Sequence, residues 1–97
     1  MGLGLYTEDQ VHERTYVDGG FGVLFTRVVA AAAPGSLLNG VSPHGDTMFN
    51  IPQLNRIESE FDDMLGRHPE LADDVAALRV LFEAIRRKRG YLWVCGD

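Results

Sequence analysis

Residues 50–89 hold two successive apolar stripes at helical spacing, and no other feature limits the folding of the chain as strongly. Leu54, Ile57, Phe61, Met64 and Leu65 recur in three- and four-residue steps. At 100° per residue they share an arc of about 100°, the mark of an amphipathic helix with one buried face. Asn50 is a favourable N-cap, Gln53 completes a capping-box pattern, and Pro52 falls in the first turn, where its missing N–H costs nothing. This helix is expected to end near Gly66. A second follows over residues 70–89, where Leu71, Val75, Leu78, Phe82 and Ile85 fall within an arc of about 80°. Acids in its first turns and Arg86, Arg87, Lys88 and Arg89 in its last suit the helix dipole, and Gly90 is the natural residue for the closing C′ position. Ala76, Ala77, Val80 and Ala84 form a second stripe. A helix apolar on two sides is expected to pack on both, here between a sheet and the preceding helix.

The run from Tyr91 to Cys95, bounded by Gly90 and Gly96, reads as a strand. It is apolar on both faces, which predicts a central or well-covered position that closes the sheet. The first half is less regular. Residues 2–6 and 11–17 pair as a hairpin across 7–10, with Val11, Glu13, Thr15 and Val17 on one face and His12, Arg14 and Tyr16 on the other. Phe21, Leu24, Phe25, Val28, Val29 and Ala32 give a helix over 21–33, stopped by Pro34-Gly35. Residues 36–41 read as a strand, 42–47 as a loop, and Met48-Phe49 as a short extended piece before the Asn50 cap. The expected fold is therefore a single α/β (α+β) domain over residues 1–97: a small β-sheet packed with two C-terminal helices and one N-terminal helix.

Composition narrows the function classes. The net charge of −5 argues against a protein that coats nucleic acid. No window approaches the roughly 18 apolar residues of a membrane span, and residues 1–6 lack the pattern of a signal peptide, so a cytoplasmic protein is expected. The single cysteine, Cys95, rules out an internal disulfide. Charge is unevenly spread: residues 58–85 carry eight acids against Arg67 and Arg79, a net −6.

The densest polar constellation is Ser42-Pro43-His44-Gly45-Asp46-Thr47. Catalysis there would need His44 oriented by Asp46 and a nucleophile from Ser42, Thr47 or Cys95 within about 3 Å. None of these sits in a nucleophile-elbow context, and His12, His44 and His68 are scattered singly, without metal-ligand spacing. A site from His44, Asp46 and Cys95 or Asp97 requires the loop to meet the C-terminal strand. Gly19-Gly20-Phe21-Gly22 lacks the Gly-Lys-Ser/Thr of a phosphate loop. Cys95 and Trp93 read as core residues, so no cofactor, metal or catalytic residue is expected.

The segment Gly45-Asp46-Thr47-Met48-Phe49-Asn50-x-x-Gln53, followed by an acidic helix, a second helix and a terminal Tyr91-Leu92-x-x-x-Gly96-Asp97, resembles a set of small actinobacterial proteins of uncharacterised function. The resemblance covers about residues 40–97, and Val94-Cys95 depart from the usual apolar pair. It implies that Asp46, Asn50, Gln53 and Asp97 are family positions. In size, acidity and layout such proteins are similar to immunity proteins of bacterial toxin systems. The leading expectation is a non-enzymatic binding protein, an immunity-type inhibitor docking Glu58, Asp62, Asp63, Asp73 and Asp74 onto a basic toxin or nuclease, with the Asp46 loop as a second surface. The alternatives are a homodimeric interaction module joined through Ala76, Val80 and Ala84, and a small ligand-binding or enzymatic protein built on His44 and Asp46.

Overall fold

A computed structural model describes residues 3–96. The elements, in chain order, are β1 (Gly4–Glu8), β2 (Arg14–Tyr16), α1 (Phe21–Ala30), β3 (Asp46–Phe49), α2 (Ile51–Arg67), α3 (Ala72–Arg87) and β4 (Tyr91–Cys95). The four strands form one antiparallel sheet in the order β2-β1-β4-β3, and the three helices lie against one of its faces. This is the α+β domain that the apolar patterning predicts.

The capping box at Asn50 is complete: the Gln53 N–H donates to Asn50 Oδ1 (2.9 Å) and the Asn50 N–H to Gln53 Oε1 (2.8 Å). With two of its first amides satisfied, α2 starts at Ile51 and buries Leu54, Ile57, Phe61 and Met64. Its partner α3 contributes Val75, Leu78, Leu81, Phe82 and Ile85, and Phe61 stacks on Phe82 with centroids 5.8 Å apart. Phe25 and Val28 of α1 and Leu5, Phe49, Leu92 and Val94 of the sheet close the same core. Phe25, Phe61 and Phe82 are fully buried in it, and each aromatic ring adds a large apolar area removed from water.

Tyr91–Cys95 is a central strand, as its two apolar faces predict, paired with β1 on one side and β3 on the other. The hairpin β1–β2 also forms, but its turn spans 9–13. The Asp9 carboxylate moves it there by accepting the N–H groups of Val11 (3.0 Å) and Glu13 (2.9 Å), so β1 continues through Thr7 and Glu8. Helix α1 stops at Ala30 rather than residue 33, since Pro34 disfavours helical geometry at Ala33.

Residues 36–41 do not form the expected strand. They hold a single 3-10 turn at Leu38–Gly40. Leu38 and Val41 plug the core, and the Leu37 and Leu38 amides donate to the Glu60 carboxylate of α2 (2.9 and 3.4 Å) instead of to a sheet neighbour. The end of α3 also departs from expectation. The Gly90 N–H donates to the Ile85 carbonyl and the Arg89 N–H to the Arg86 carbonyl, both at 3.1 Å, a Schellman closure. Its left-handed residue is Arg89 (φ 53°), not Gly90. Gly90 serves a different need, because a Cβ there would collide with the Glu8 carbonyl oxygen at the end of β1.

Candidate functional site

Strand register decides what the uncovered face of the sheet displays. Tyr6 lies opposite Tyr16 on one side and Trp93 on the other, and Trp93 lies opposite Met48. Tyr16, Tyr6, Trp93 and Met48 therefore form one row across all four strands, on the side away from the helices. The next row is Arg14, Glu8 and Tyr91, and the one beyond Met48 is Cys95 and Asp46. Tyr16 is 56% and Met48 39% exposed, whereas Leu5, Leu92 and Val94 on the opposite face are completely buried. Trp93, expected in the core, is thus a half-buried residue of the open face. Strict alternation along β4 puts it there, and only the register of the finished sheet shows which of two apolar faces is covered.

The row is held in place. Tyr6 and Tyr16 meet edge to face with centroids 5.3 Å apart, and the Arg14 guanidinium lies 3.8 Å from the Trp93 ring centroid. Arg14 also donates to Glu8 Oε1 (3.0 Å), and Glu8 Oε2 lies 3.1 Å from His12 Nδ1. These hydrogen bonds, from His12 first and Arg14 second, hold the Glu8 carboxyl below its ordinary value of 4.5 against the opposing effect of desolvation. Glu8 is a buried charge beside the aromatic row, which is tolerable because both oxygens have partners. The Trp93 indole N–H is shielded and has no hydrogen-bond partner among the described residues.

At the other corner, the 42–45 loop meets β4 as a His44–Asp46–Cys95 site would require. Gly96 N–H donates to the Gly45 carbonyl (2.8 Å), and a Cβ at Gly96 would strike the Pro43 carbonyl. Asp46 and Cys95 share a hydrogen bond, and burial followed by that bond raises the thiol above its ordinary value of 9.0. Cys95 stays protonated at neutral pH, which is the opposite of an activated nucleophile. His44 is exposed, and Asp97 lies outside the described residues. Among the described residues no group of three or more His, Cys, Asp or Glu side chains is arranged to hold a metal ion.

The acids of residues 58–85 are not one open surface. Glu58 accepts from Arg86 (2.7 Å) and Arg79 (3.3 Å), and Asp62 from Arg79 (2.9 Å), in a lattice joining α2 to α3. Asp63 pairs with Arg67 (3.1 Å) along α2. Asp74 takes a two-pronged bond from Arg27 of α1 (2.8 Å each), which lowers its pKa and raises that of Arg27. Asp73 and Asp46 carry no ion pair among the described residues. Charge counting locates these acids but not the partners on other helices, which lie 17 to 47 residues away. The second stripe on α3 is mostly unpacked: Ala77 is half-buried, but Ala76 and Ala84 are exposed and Val80 is 71% exposed. No helix among the described residues is long and apolar enough to cross a membrane.

Compared with protein-family models, curated proteins and solved structures, the chain finds no match in any of the three.

Proposed function

We propose that this chain is a non-catalytic protein-binding module that docks its partner against the uncovered face of the sheet. The observation that carries the reading is the row Tyr16, Tyr6, Trp93 and Met48, with Arg14 laid over the indole. Tyr, Trp, Met and Arg are the side chains enriched at the centres of protein interfaces. Trp93 is already fixed by Arg14, so less rotamer freedom is lost on binding.

The net charge of −5 favours a basic partner, whose encounter it accelerates. In its finer form the reading is an immunity-type inhibitor that occludes the cationic surface of a toxin or nuclease. Asp46 and Asp73 meet partner cations without breaking an internal bridge. Glu58, Asp62, Asp63 and Asp74 first have to exchange an internal arginine for one of the partner's, so they tune rate and selectivity more than affinity. The test is affinity capture from the native host at low and moderate salt, comparing the wild type with Tyr16→Ser/Met48→Ser, both exposed positions. Loss of a stoichiometric basic partner in the double variant supports the reading. Retention of every captured partner overturns it.

The exposure of Val80 between Ala76 and Ala84 favours a second reading, a homodimer joined through α3. Sedimentation decides it: Val80→Glu then converts a dimer into a folded monomer, and a wild-type monomer ends the idea.

A further inference from the structure

We infer that the β3 edge accepts an extended, basic segment of the partner as a fifth strand of the sheet. This rests on the protein-binding reading above and specifies how the partner joins. The Gly96 N–H donates to the Gly45 carbonyl, which makes 45 and 96 a hydrogen-bonded pair. In an antiparallel ladder such pairs alternate, so Thr47 and Phe49 bond to Val94 and Leu92. Asp46 and Met48 then aim their N–H and C=O groups away from β4. Those four groups take no hydrogen bond among the described residues, and both side chains are exposed.

The opposite edge offers a contrast. On β2 the outward groups belong to Arg14 and Tyr16, since the Val17 N–H bonds to the Leu5 carbonyl one step away. That edge is three residues long and carries a cation. Edges of soluble proteins are commonly guarded by Lys, Pro or a bulge, and β3 has none of these in its unbroken register. Its single charge is Asp46, which makes no ion pair among the described residues.

Charge selects the occupant. A second copy would bring another net −5 and another Asp46 to the same edge, whereas a basic strand supplies a cation beside Asp46 and removes two amides and two carbonyls from solvent. Side chains alternate along the added strand. Those on the open face continue the aromatic row next to Met48, and those on the other side meet the Thr47 and Phe49 positions.

The test uses a fluorescent synthetic peptide alternating arginine and valine, a glutamate–valine peptide as control, and the full chain. The arginine peptide is expected to bind with salt-sensitive affinity and to slow amide exchange at Asp46 and Met48. Met48→Pro, which removes an outward N–H but no ladder bond, should weaken binding at least about tenfold relative to Met48→Ala. Asp46→Asn should weaken it a few-fold and flatten the salt dependence. Failure of the arginine peptide to bind overturns the inference, as do equal affinities for the two peptides. Equal binding by Met48→Pro and Met48→Ala, or protection of both amides by self-association alone, does so too. If Met48→Pro fails to fold, wild-type amide exchange decides. A captured partner that survives Met48→Pro but is lost with Tyr16→Ser/Met48→Ser leaves docking on the face standing and removes strand addition.

Discussion

The two faces of the sheet are built from the same strands under opposite rules. On the helix side, Leu5, Phe49, Leu92 and Val94 interlock with three helices and lose nearly all contact with water. On the other side, Tyr6, Tyr16, Trp93 and Met48 line up in one row, Tyr6 against Tyr16 and Arg14 over Trp93, with Tyr16 and Met48 open to solvent. The first face holds the fold together by volume filling, where each methylene matters. The second uses large side chains, of which Tyr16 and Met48 stay exposed, so part of its area is left over for something else. Core packing and solvent-facing aromatic area thus fall to alternate residues of one chain segment.

The sharpest way to break the comparison is to truncate one residue on each face. Leu92→Ala should cost about 2–5 kcal/mol in chemical denaturation, because the cavity it leaves is enclosed by helices. A loss near zero would mean that the covered face is not the core. Arg14→Ala should cost about 1 kcal/mol and shift Trp93 fluorescence to the red as water reaches the indole. An unchanged spectrum would show that the guanidinium does not shield the ring. Arg89→Gly should stabilise the protein by up to about 1 kcal/mol, since a side chain in left-handed geometry is strained and no partner of Arg89 among the described residues offsets it. Tyr16→Ala should alter stability by about 0.5 kcal/mol or less while abolishing partner capture, so a large drop in the denaturation midpoint would place Tyr16 with the core instead.

Acid titration separates the faces in another way. Glu8 on the open face and Asp74 on the helical side both titrate lower in the folded than in the unfolded chain. Below the ordinary values of 4.5 and 3.8 the unfolded state therefore binds more protons, and stability falls as pH drops towards the folded values. Above pH 5 both contributions are fully present. Glu8→Gln and Asp74→Asn should each flatten that acid limb in denaturation curves taken across pH 3–6, and an unaltered limb would exclude the group concerned.

Local signals and long-range ones differed in how far the sequence revealed them. The Asn50–Gln53 cap, the stripe from Leu54 to Met64 and the Tyr91–Cys95 strand are all legible, because the residues that specify them are near neighbours in the chain. Ser36 to Val41 looks like a strand by residue type, yet the Leu37 and Leu38 amides are claimed by Glu60, a partner more than 20 residues downstream. Gly90 is conspicuous next to a helix end, but Arg89 bears the left-handed geometry because the adjacent backbone of β1 leaves no room for a side chain at position 90. The candidate site was the least legible part. Tyr6, Tyr16, Trp93 and Met48 come from four segments, and nothing short of the register aligns them. The acidic block was visible as a count, while its neutralisation by Arg27, Arg79 and Arg86 depends on how helices pack.

The position of β4 in chain order has a consequence for synthesis. The two strands that flank it, β1 and β3, are made earlier and have no contact with each other in the sheet. During translation the hairpin and the first helices emerge with Leu5 and Phe49 still lacking their strand neighbours Val94 and Leu92. The sheet can close only once residues 91–95 have left the ribosome, and its central pairing spans almost the whole chain. Closing the sheet is therefore limited by an encounter between distant parts of the sequence, and apolar surface on β1 and β3 stays uncovered until it occurs.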